Sequence, residues 1–345
     1  MTPSAPPDPP KKSRATSVGS RMQDVAALAG VSMITVSRVI NTPDRVAPST
    51  RAAVQVAIRQ VGYVPNLTAS SLASNQSRVI GAIVPTIDNS IFAETVRGLS
   101  QMLAQAGYQL LLGQSGYDLL AEEALVLAFL GRRVDGLVLT GGQHSKMVRT
   151  RLRQSGAPVV ETWDLPVKPI DMVAGFSNRA AGQAVGAYLL ETGRTRICFA
   201  GGPDERSAAR LAGLRAALAD QDQTELQVQP LAADSSFQGG RSVVAQLADR
   251  GQLPQAIFFG NDALAAGALM ECQHRRISVP NTLAIVGFAD LAIAQAMEPA
   301  ITTVRVPTHR MGEVAAQLLL ARMKGQRPAS PVVDLGFELI RRTSA

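Results

Sequence analysis

The sequence has few of the residues that build reactive centres. It contains two cysteines, three histidines and one tryptophan in 345 residues. Cys198 and Cys272 lie far apart in apolar stretches, which is typical of reduced core thiols and forms no metal-ligand cluster. His144, His274 and His309 are scattered, without the neighbours of a catalytic triad or a zinc site, and we expect all three on the surface. These shortages argue against an enzyme. We therefore expect no catalytic residue, no metal site and no cofactor.

Several longer patterns are also missing. No apolar run reaches the roughly 18 residues that a membrane helix needs, and the N-terminus lacks the apolar segment of a signal peptide. The chain has no GxxxxGK[ST] phosphate loop, and GGPDER does not match the GxGxxG dinucleotide fingerprint. These absences predict a cytoplasmic protein without a membrane partner.

Positive charge is concentrated at one end of the chain. The net charge is +7, and residues 1–78 hold nine Lys and Arg against three Asp. Six of the seven net charges therefore lie in the first quarter, and the remainder is close to neutral. A small basic segment on a neutral body indicates a polyanion-binding module joined to a second function.

Residues 1–20 are rich in proline, and we expect them to be disordered. The pattern of residues 21–64 is typical of three short helices. MQDVAALAG ends at Gly30, VSMITVSRVIN follows almost at once, and APSTRAAVQVAIRQVGY gives a third helix with Ser49 as the expected N-cap. This order predicts a helix-turn-helix head, whose second helix enters the DNA major groove. The polar, Ser-rich residues 65–78 are a candidate hinge.

The second helix has two distinct faces. At about 100° per residue, Val36, Val39 and Ile40 form one apolar arc that faces the other helices. Ile34 and Arg38 lie almost opposite this arc and are predicted to point outward together. Met33 falls on the margin, so either placement remains open for it.

The residue types on the outer face suit DNA. Arg38 can donate to guanine O6 and N7, and Met33 and Ile34 can contact thymine methyl groups. Three hydroxyl side chains can bond phosphates, which position the helix without reading sequence. They are Ser32, Thr35 and Ser37.

After residue 78 the pattern changes to short apolar runs that alternate with amphipathic helices. The runs span 79–85, 108–114, 134–140, 157–162, 196–202, 255–260 and 283–288. Continuous apolar strands joined by helices predict parallel sheets covered on both faces. About a dozen strands predict two such sheets, and hence two lobes with a ligand cleft at the carboxyl ends of the strands.

The head resembles that of the LacI/GalR family of repressors, through DVA, AGVS, TVSRVIN, TR and GYVPN at the family's spacing. The resemblance continues through IGAIVP, DGLVLT, GGP, RLAG at 210–213, FGNDALAAGAL, LAIVGFAD and ITTV. VVETWD, VAGFSN, GPDER and VVDLGFEL are most similar to the gluconate-utilisation branch. The implied fold class is α/β: a three-helix head (21–64), a hinge helix (65–78) and two Rossmann-like lobes (79–345) of the type I periplasmic-binding-protein kind.

The resemblance also implies roles for individual residues of the head. Met33, Ile34 and Arg38 match the family's reading positions, and Asn41 and Arg45 match positions near the phosphate backbone. The family's hinge forms a short helix on operator DNA, where a leucine wedges into the minor groove. The matching hinge residues are Asn66, Ala69 and Leu72.

Two arginines of the body point to an acidic ligand. Arg206 and Arg210 are four residues apart at a helix start, so they share one face and can bind a carboxylate; a solvated basic face is the alternative. Both match effector positions of the family. The resemblance adds further effector candidates: Ser90, Phe92, Glu161, Trp163, Asp164, Phe237, Asn261, Phe288 and Asp290.

These observations predict a homodimeric transcriptional repressor that binds palindromic operator DNA and answers to a small sugar acid, gluconate or a close relative. A regulator that answers to another sugar or a purine-like effector is one alternative. A sugar-binding protein without a DNA role is another, against which the basic head argues. The sequence does not give the sign of the coupling, so a co-repressor also remains open.

Overall fold

The computed structural model describes residues 20–64, 76–87, 90–219, 221, 223–231 and 236–345, with Asn41 described by its backbone alone. The chain divides into two units, with the boundary between Asn75 and Gln76. Apart from Ser20, the predicted tail lies outside the described residues, and so do residues 65–75 of the predicted hinge. The implied hinge helix, with Asn66, Ala69 and Leu72, stays a prediction.

Three helices form the N-terminal unit. They are α1 (Met22–Ala29), α2 (Met33–Asn41) and α3 (Pro48–Val61), with a turn of 3-10 helix at Pro43–Arg45. Gly30 ends α1 with a φ of 65°, a left-handed conformation that glycine takes without strain, so the chain turns at once into α2. Val25, Val36 and Val54 meet in one core between the helices. This is the helix-turn-helix head that the sequence predicts.

The start of α3 differs from the prediction. Ser49 is not its N-cap: Ala47 holds that position and makes no side-chain cap bond. Pro48 occupies the first turn, where the missing N–H is not needed and the fixed φ suits a helix. Proline therefore sets the start of this helix instead of serine.

Two six-stranded sheets form the larger unit, one in each of two lobes. The strands are β1 (Val79–Val84), β2 (Gln109–Gln114), β3 (Gly136–Thr140), β4 (Val159–Thr162), β5 (Met172–Gly175), β6 (Arg196–Gly201), β7 (Glu225–Pro230), β8 (Ala256–Phe259), β9 (Ala284–Ala289), β10 (Thr302–Arg305), β11 (Val332–Asp334) and β12 (Glu338–Ile340). The first-lobe order is β11-β5-β4-β3-β1-β2, and the second-lobe order is β12-β10-β9-β8-β6-β7. The strand pairs are parallel apart from β10 with β12, which confirms the predicted class.

Nine helices of the described residues belong to this unit and cover the sheets. They are α4 (Ala93–Gln105), α5 (Leu119–Gly131), α6 (Lys146–Ser155), α7 (Asn178–Glu191), α8 (Glu205–Leu218), α9 (Phe237–Asp249), α10 (Asp262–Arg275), α11 (Ala292–Ala296) and α12 (Thr308–Met323). Helices α7 and α8 cross closely, because Gly182 of α7 meets the backbone of Arg210 in α8 and leaves no room for a Cβ. This contact fixes how closely α8, the helix that carries both predicted effector arginines, packs against α7.

The chain passes between the lobes three times, after β5, after β10 and again between β11 and β12. The loops that follow the strands of both sheets therefore face each other across a cleft. Within the part of the chain that the structure describes, no single helix is long and apolar enough to cross a membrane. Met22–Ala29 and Met33–Ile40 pass that test together, although they are bent by 103° at their junction.

Candidate functional site

Helix α2 presents an apolar and basic face to the outside of the N-terminal unit. Ile34 is 65% exposed and Met33 46%, and Arg38 is exposed one turn after Ile34. Val36 and Val39 are buried on the opposite side. The exposure of Ile34 and Arg38 agrees with the sequence prediction, and Met33 joins them on the outer face.

The polar residues around this face are partly used within the helix. The Ser32 hydroxyl caps α2 by accepting the Thr35 N–H at 3.2 Å, and it also bonds the Thr35 hydroxyl at 3.0 Å. Ser37 is half-buried, whereas Arg45 is exposed in the 3-10 turn after α2. The capped helix start therefore holds the exposed pair of apolar residues in a fixed position.

The cleft between the lobes contains a chamber with about 420 Å³ of empty space, which we call the inner chamber. The first lobe contributes aromatic side chains and the second lobe contributes charged and polar ones. The main lining residues are Phe92, Tyr117, Trp163, Asp204, Arg206, Arg210 and Asn261. Five of them are sequence-predicted effector residues, and they come from four separate parts of the chain: Phe92, Trp163, Arg206 with Arg210, and Asn261.

Arg206 reaches from the second lobe between two rings of the first. Its guanidinium carbon lies 5.3 Å from the centre of the Phe92 ring and 5.8 Å from that of Tyr117. The Nε of Arg206 donates to Asp204 at 3.2 Å, but the buried Nη1 has no hydrogen-bond partner among the described residues. Burial would raise the pKa of Asp204, yet Arg206 and Arg210 lower it to about 2. The pair is therefore fully ionised and keeps one donor available.

Arg210 lies deeper in the inner chamber. It donates to the Asn178 side chain at 2.8 Å and to the Ser207 hydroxyl at 3.2 Å, while its Nε lacks a partner among the described residues. Burial lowers the pKa of Arg210 to about 10, and Asp204 opposes this change. Arg210 thus remains charged at neutral pH, in a place where a buried cation favours an anionic partner.

Trp163 forms part of the wall and is 2% exposed. Its ring packs edge-on against Phe92 at 5.0 Å and Phe176 at 6.1 Å, and its indole N–H donates to Thr95 at 3.2 Å. The backbone of Trp163 adopts a left-handed φ of 69° after β4. The indole is therefore held rigidly and offers only a small surface to a ligand.

Asn261 and Asp164, two of the predicted effector residues, are each held by a hydrogen bond. Asn261 caps α10 through its side-chain oxygen, which accepts the Leu264 N–H at 2.8 Å, and it lines the chamber. Asp164 accepts a hydrogen bond from Asn178 at 3.1 Å. Asn178 thereby connects Asp164 of the first lobe with Arg210 of the second.

The remaining predicted effector residues lie outside the lining. Ser90 and Phe237 are exposed near helix starts, and Phe288 is fully buried beneath Arg210. Asp290 forms ion pairs with Arg305 at 2.8 Å and Arg342 at 2.6 Å. These positions need a rearranged cleft before they could contact a ligand.

Glu161 belongs to a buried charge cluster in the first lobe, and the expectation that His144 is a surface residue is wrong. The Nδ1 of His144 lies 2.8 Å from Glu122, and its Nε2 lies 3.5 Å from Glu161. Burial alone lowers the pKa of His144, but the hydrogen bond to Glu122 and the nearby Glu161 carboxylate raise it to about 9. His144 is therefore a buried imidazolium, while His274 is exposed and His309 half-exposed.

Sequence reasoning missed Tyr117, Asn178 and Asp204. Asn178 follows the end of β5 and Asp204 follows the end of β6, so the rule that ligands bind beyond the carboxyl ends of strands could have selected both. Tyr117 precedes α5 by two residues, and its sequence neighbourhood carries no comparable signal.

A two-lobed cleft attached to a helix-turn-helix head defines a ligand-sensing DNA-binding regulator. Comparisons with known proteins give the family. Residues 21–66 match the model described as bacterial regulatory proteins, lacI family, and residues 187–345 match that of a periplasmic binding protein-like domain. The chain belongs to the LacI family of bacterial regulatory proteins.

Relatives and solved structures cover nearly the whole chain. The HTH-type transcriptional regulator GntR of Escherichia coli K12 is 34% identical over 321 residues, 92% of this chain and 96% of that protein. The E. coli K12 repressor CytR is 33% identical over 344 residues, 96% and 98% of the two chains. A LacI-family regulator from Silicibacter pomeroyi has a TM-score of 0.87 at 28% identity, covering 94% and 98%. GntR from Chromobacterium violaceum has a TM-score of 0.72 at 39% identity, covering 77% and 98%.

These relatives are transcriptional regulators. The chain is accordingly a LacI-type DNA-binding transcriptional repressor and not an enzyme. The family resemblance and the fold class expected from the sequence are both confirmed.

Proposed function

We propose that the operator affinity of this repressor is controlled by a small sugar acid, D-gluconate or a close relative, which binds in the inner chamber. Similarity to GntR supports this choice, but CytR is similar to nearly the same degree. The chemistry of the chamber is therefore the stronger argument for an acid.

One observation carries the proposal: two buried guanidinium groups each keep one N–H without a hydrogen-bond partner among the described residues. They are Arg206 Nη1 and Arg210 Nε, both among residues that line the inner chamber. Leaving a buried charged donor unpaired costs free energy, and a ligand carboxylate accepts such hydrogen bonds strongly. A neutral sugar or a nucleoside has no carboxylate to offer. Asp204 and Asn261 supply polar groups for the hydroxyls of a polyol chain.

The DNA-binding role is assigned to the outer face of α2. Arg38 would read a guanine and Ile34 and Met33 would contact thymine methyl groups, while Arg45 would position the head on phosphate. Ser32, Thr35, Ser37 and Asn41 would add backbone contacts. Asn66, Ala69 and Leu72 would complete the interface in the minor groove.

We propose that the functional form is a homodimer. Leu112, Leu120 and Leu127 are 40%, 72% and 46% exposed, on the edge strand β2 and on α5 of the first lobe. Large apolar side chains left exposed on one lobe favour an interface. A two-fold dimer would place two heads on the half-sites of a palindrome. Ligand binding would then change the lobe arrangement and alter the operator affinity by its differential binding to the two states.

The test is a fluorescence-anisotropy titration of a palindromic operator, first selected from random DNA with the purified protein. We expect D-gluconate to shift the operator affinity, and D-glucose or cytidine to leave it unchanged. Arg206→Lys should weaken the response to gluconate without changing operator binding in its absence, whereas the exposed Arg215→Lys in the same helix should behave as wild type. If gluconate and 2-ketogluconate both leave operator binding and the melting temperature unchanged, the sugar-acid assignment is wrong.

A further inference from the structure

A second cavity adjoins the inner chamber. It spans about 740 Å³ including its opening to solvent, and it shares Tyr117, Asp204 and Arg206 with the inner chamber. We call it the outer chamber. A ligand held by Arg206 and Arg210 that is longer than a simple sugar acid would extend into it.

The outer chamber is strongly acidic. Its lining includes Asp118 and Glu122 from the first lobe and Asp204 and Glu205 from the second, against the single cation Arg206. Glu122 faces the His144 imidazolium and Asp204 faces Arg206, so these two charges are balanced. Both Asp118 and Glu205 line the cavity, and neither forms a salt bridge with any described residue.

Both helix starts at this cavity are already occupied by carboxylates. Asp118 is the N-cap of α5 and accepts the Leu120 N–H at 2.8 Å. Asp204 is the N-cap of α8, and Glu205 is its first residue. A helix N-terminus normally attracts phosphate through its free N–H groups and its dipole. Here that attraction is offset by the chain itself.

Glu205 of the second lobe also lies near the first lobe. It lines the same cavity as Gln143 of the first lobe. Burial and the nearby Asp164 raise the pKa of Glu205, and the nearby backbone of Gly142 and Gln143 opposes that rise. The Glu205 carboxylate therefore lies close to the first lobe, in the cavity that a second anionic group of a ligand would enter.

We infer that the cleft rejects the phosphate ester of an effector that it binds in unphosphorylated form, with Asp118 and Glu205 as the specificity-determining residues. A terminal phosphate adds between about −1.5 and −2 charges at neutral pH. In the outer chamber it would meet two unbalanced carboxylates and no free cation among the described residues. The inference uses the ligand position of the proposed function, but its test does not depend on the identity of the ligand.

The experiment measures binding by isothermal titration calorimetry for three pairs of compounds, each with and without phosphate. The pairs are D-gluconate and 6-phosphogluconate, D-glucose and glucose 6-phosphate, and cytidine and cytidine 5′-monophosphate. The variants are Glu205→Gln, which keeps the size and the hydrogen-bond acceptor, and Asp118→Asn, which keeps the helix cap. Glu225→Gln is the matched control, because Glu225 is an exposed acid of the same lobe outside both chambers.

For whichever pair binds, we expect the wild-type protein to prefer the unphosphorylated member. Glu205→Gln should raise the affinity for the phosphate ester by roughly tenfold, because one like charge near the phosphate is removed, and Asp118→Asn by less because Asp118 is more exposed. The control should change neither affinity. Equal wild-type binding of both members would overturn the inference, and so would a Glu205→Gln variant that folds normally by circular dichroism and still rejects the ester. Failure of gluconate alone, with another pair binding selectively, would reject the proposed function and leave the inference supported.

Discussion

The guanidinium of Arg210 lies 4.2 Å from the centre of the Phe288 ring, so a buried cation is stacked on a fully buried aromatic side chain. The ring faces one side of the guanidinium, and Asn178 and Ser207 accept hydrogen bonds from its edge. The planar shape of arginine is needed to satisfy all three contacts together. The inner chamber is thus arranged around one guanidinium.

Arg210→Lys should therefore weaken gluconate binding while the protein still folds. Lysine carries the same charge but cannot stack on Phe288 and donate to both partners, so roughly a ten- to hundredfold loss of affinity is expected. Calorimetry with D-gluconate measures it, with Arg215→Lys as the control. An unchanged affinity would show that the anion does not reach Arg210.

Arg38→Ala should reduce, by about 1–3 kcal/mol, the difference in binding free energy between the operator and an operator with the contacted guanine replaced. The reason is that the paired hydrogen bonds from the guanidinium to this guanine are lost. Arg45→Ala should instead weaken binding to every DNA sequence. It should also reduce the slope of the logarithm of the binding constant against the logarithm of the salt concentration by about one. Anisotropy titrations at several salt concentrations separate the two effects. A uniform loss on random DNA for Arg38→Ala would argue against base reading by this residue.

Ile34 and Val36 should respond in opposite ways to truncation, although they are two residues apart. Val36 is fully buried, so Val36→Ala should destabilise the head by about 2 kcal/mol. Ile34→Ala should change stability by less than about 0.5 kcal/mol but should weaken operator binding through lost contact with thymine methyl groups. Thermal unfolding and operator titration of both variants test this, and a destabilised Ile34→Ala would contradict it.

His144 should make stability fall as the solution becomes alkaline. Its pKa in the folded protein is about 9, above the ordinary value of 6.5. The stabilisation is therefore fully present below pH 6.5 and is lost as pH rises through 9. The loss should amount to about 3 kcal/mol. Urea unfolding between pH 6 and pH 9.5 measures it against the double variant His144→Gln, Glu122→Gln, which removes the imidazolium without leaving the Glu122 carboxylate buried and unpaired. Parallel pH profiles for the two proteins would count against a buried imidazolium.

Local periodicity was sufficient to predict the head and most of the body. The outer face of α2 follows from spacing alone, and the seven apolar runs correspond to β1–β4, β6, β8 and β9. Strand β7 was not predicted, because it is an edge strand whose residues are mostly exposed and lack a continuous apolar run. Strands β11 and β12 have three residues each, too few to show any period.

The candidate site could be predicted only in part from the sequence. Contacts between residues that are far apart along the chain could not be predicted. Arg206 and Arg210 are one helical turn apart, so their shared face is visible in the sequence. His144 was misplaced because its partners, Glu122 and Glu161, come from α5 and β4 and meet it only after folding. Tyr117 was missed for the same reason, since its contact with Arg206 joins two lobes.

The strand order of the first lobe has a consequence for synthesis of the protein. Sheet pairing there is complete only when β11, Val332–Asp334, lies beside β5, Met172–Gly175. A ribosome must therefore translate almost all of the body before the first lobe can close its outer strand. Until then β5 is an open edge with unpaired backbone groups, exposed to pairing with other nascent chains. Premature stops far downstream of the first lobe should for this reason yield aggregated protein rather than a free, folded first lobe.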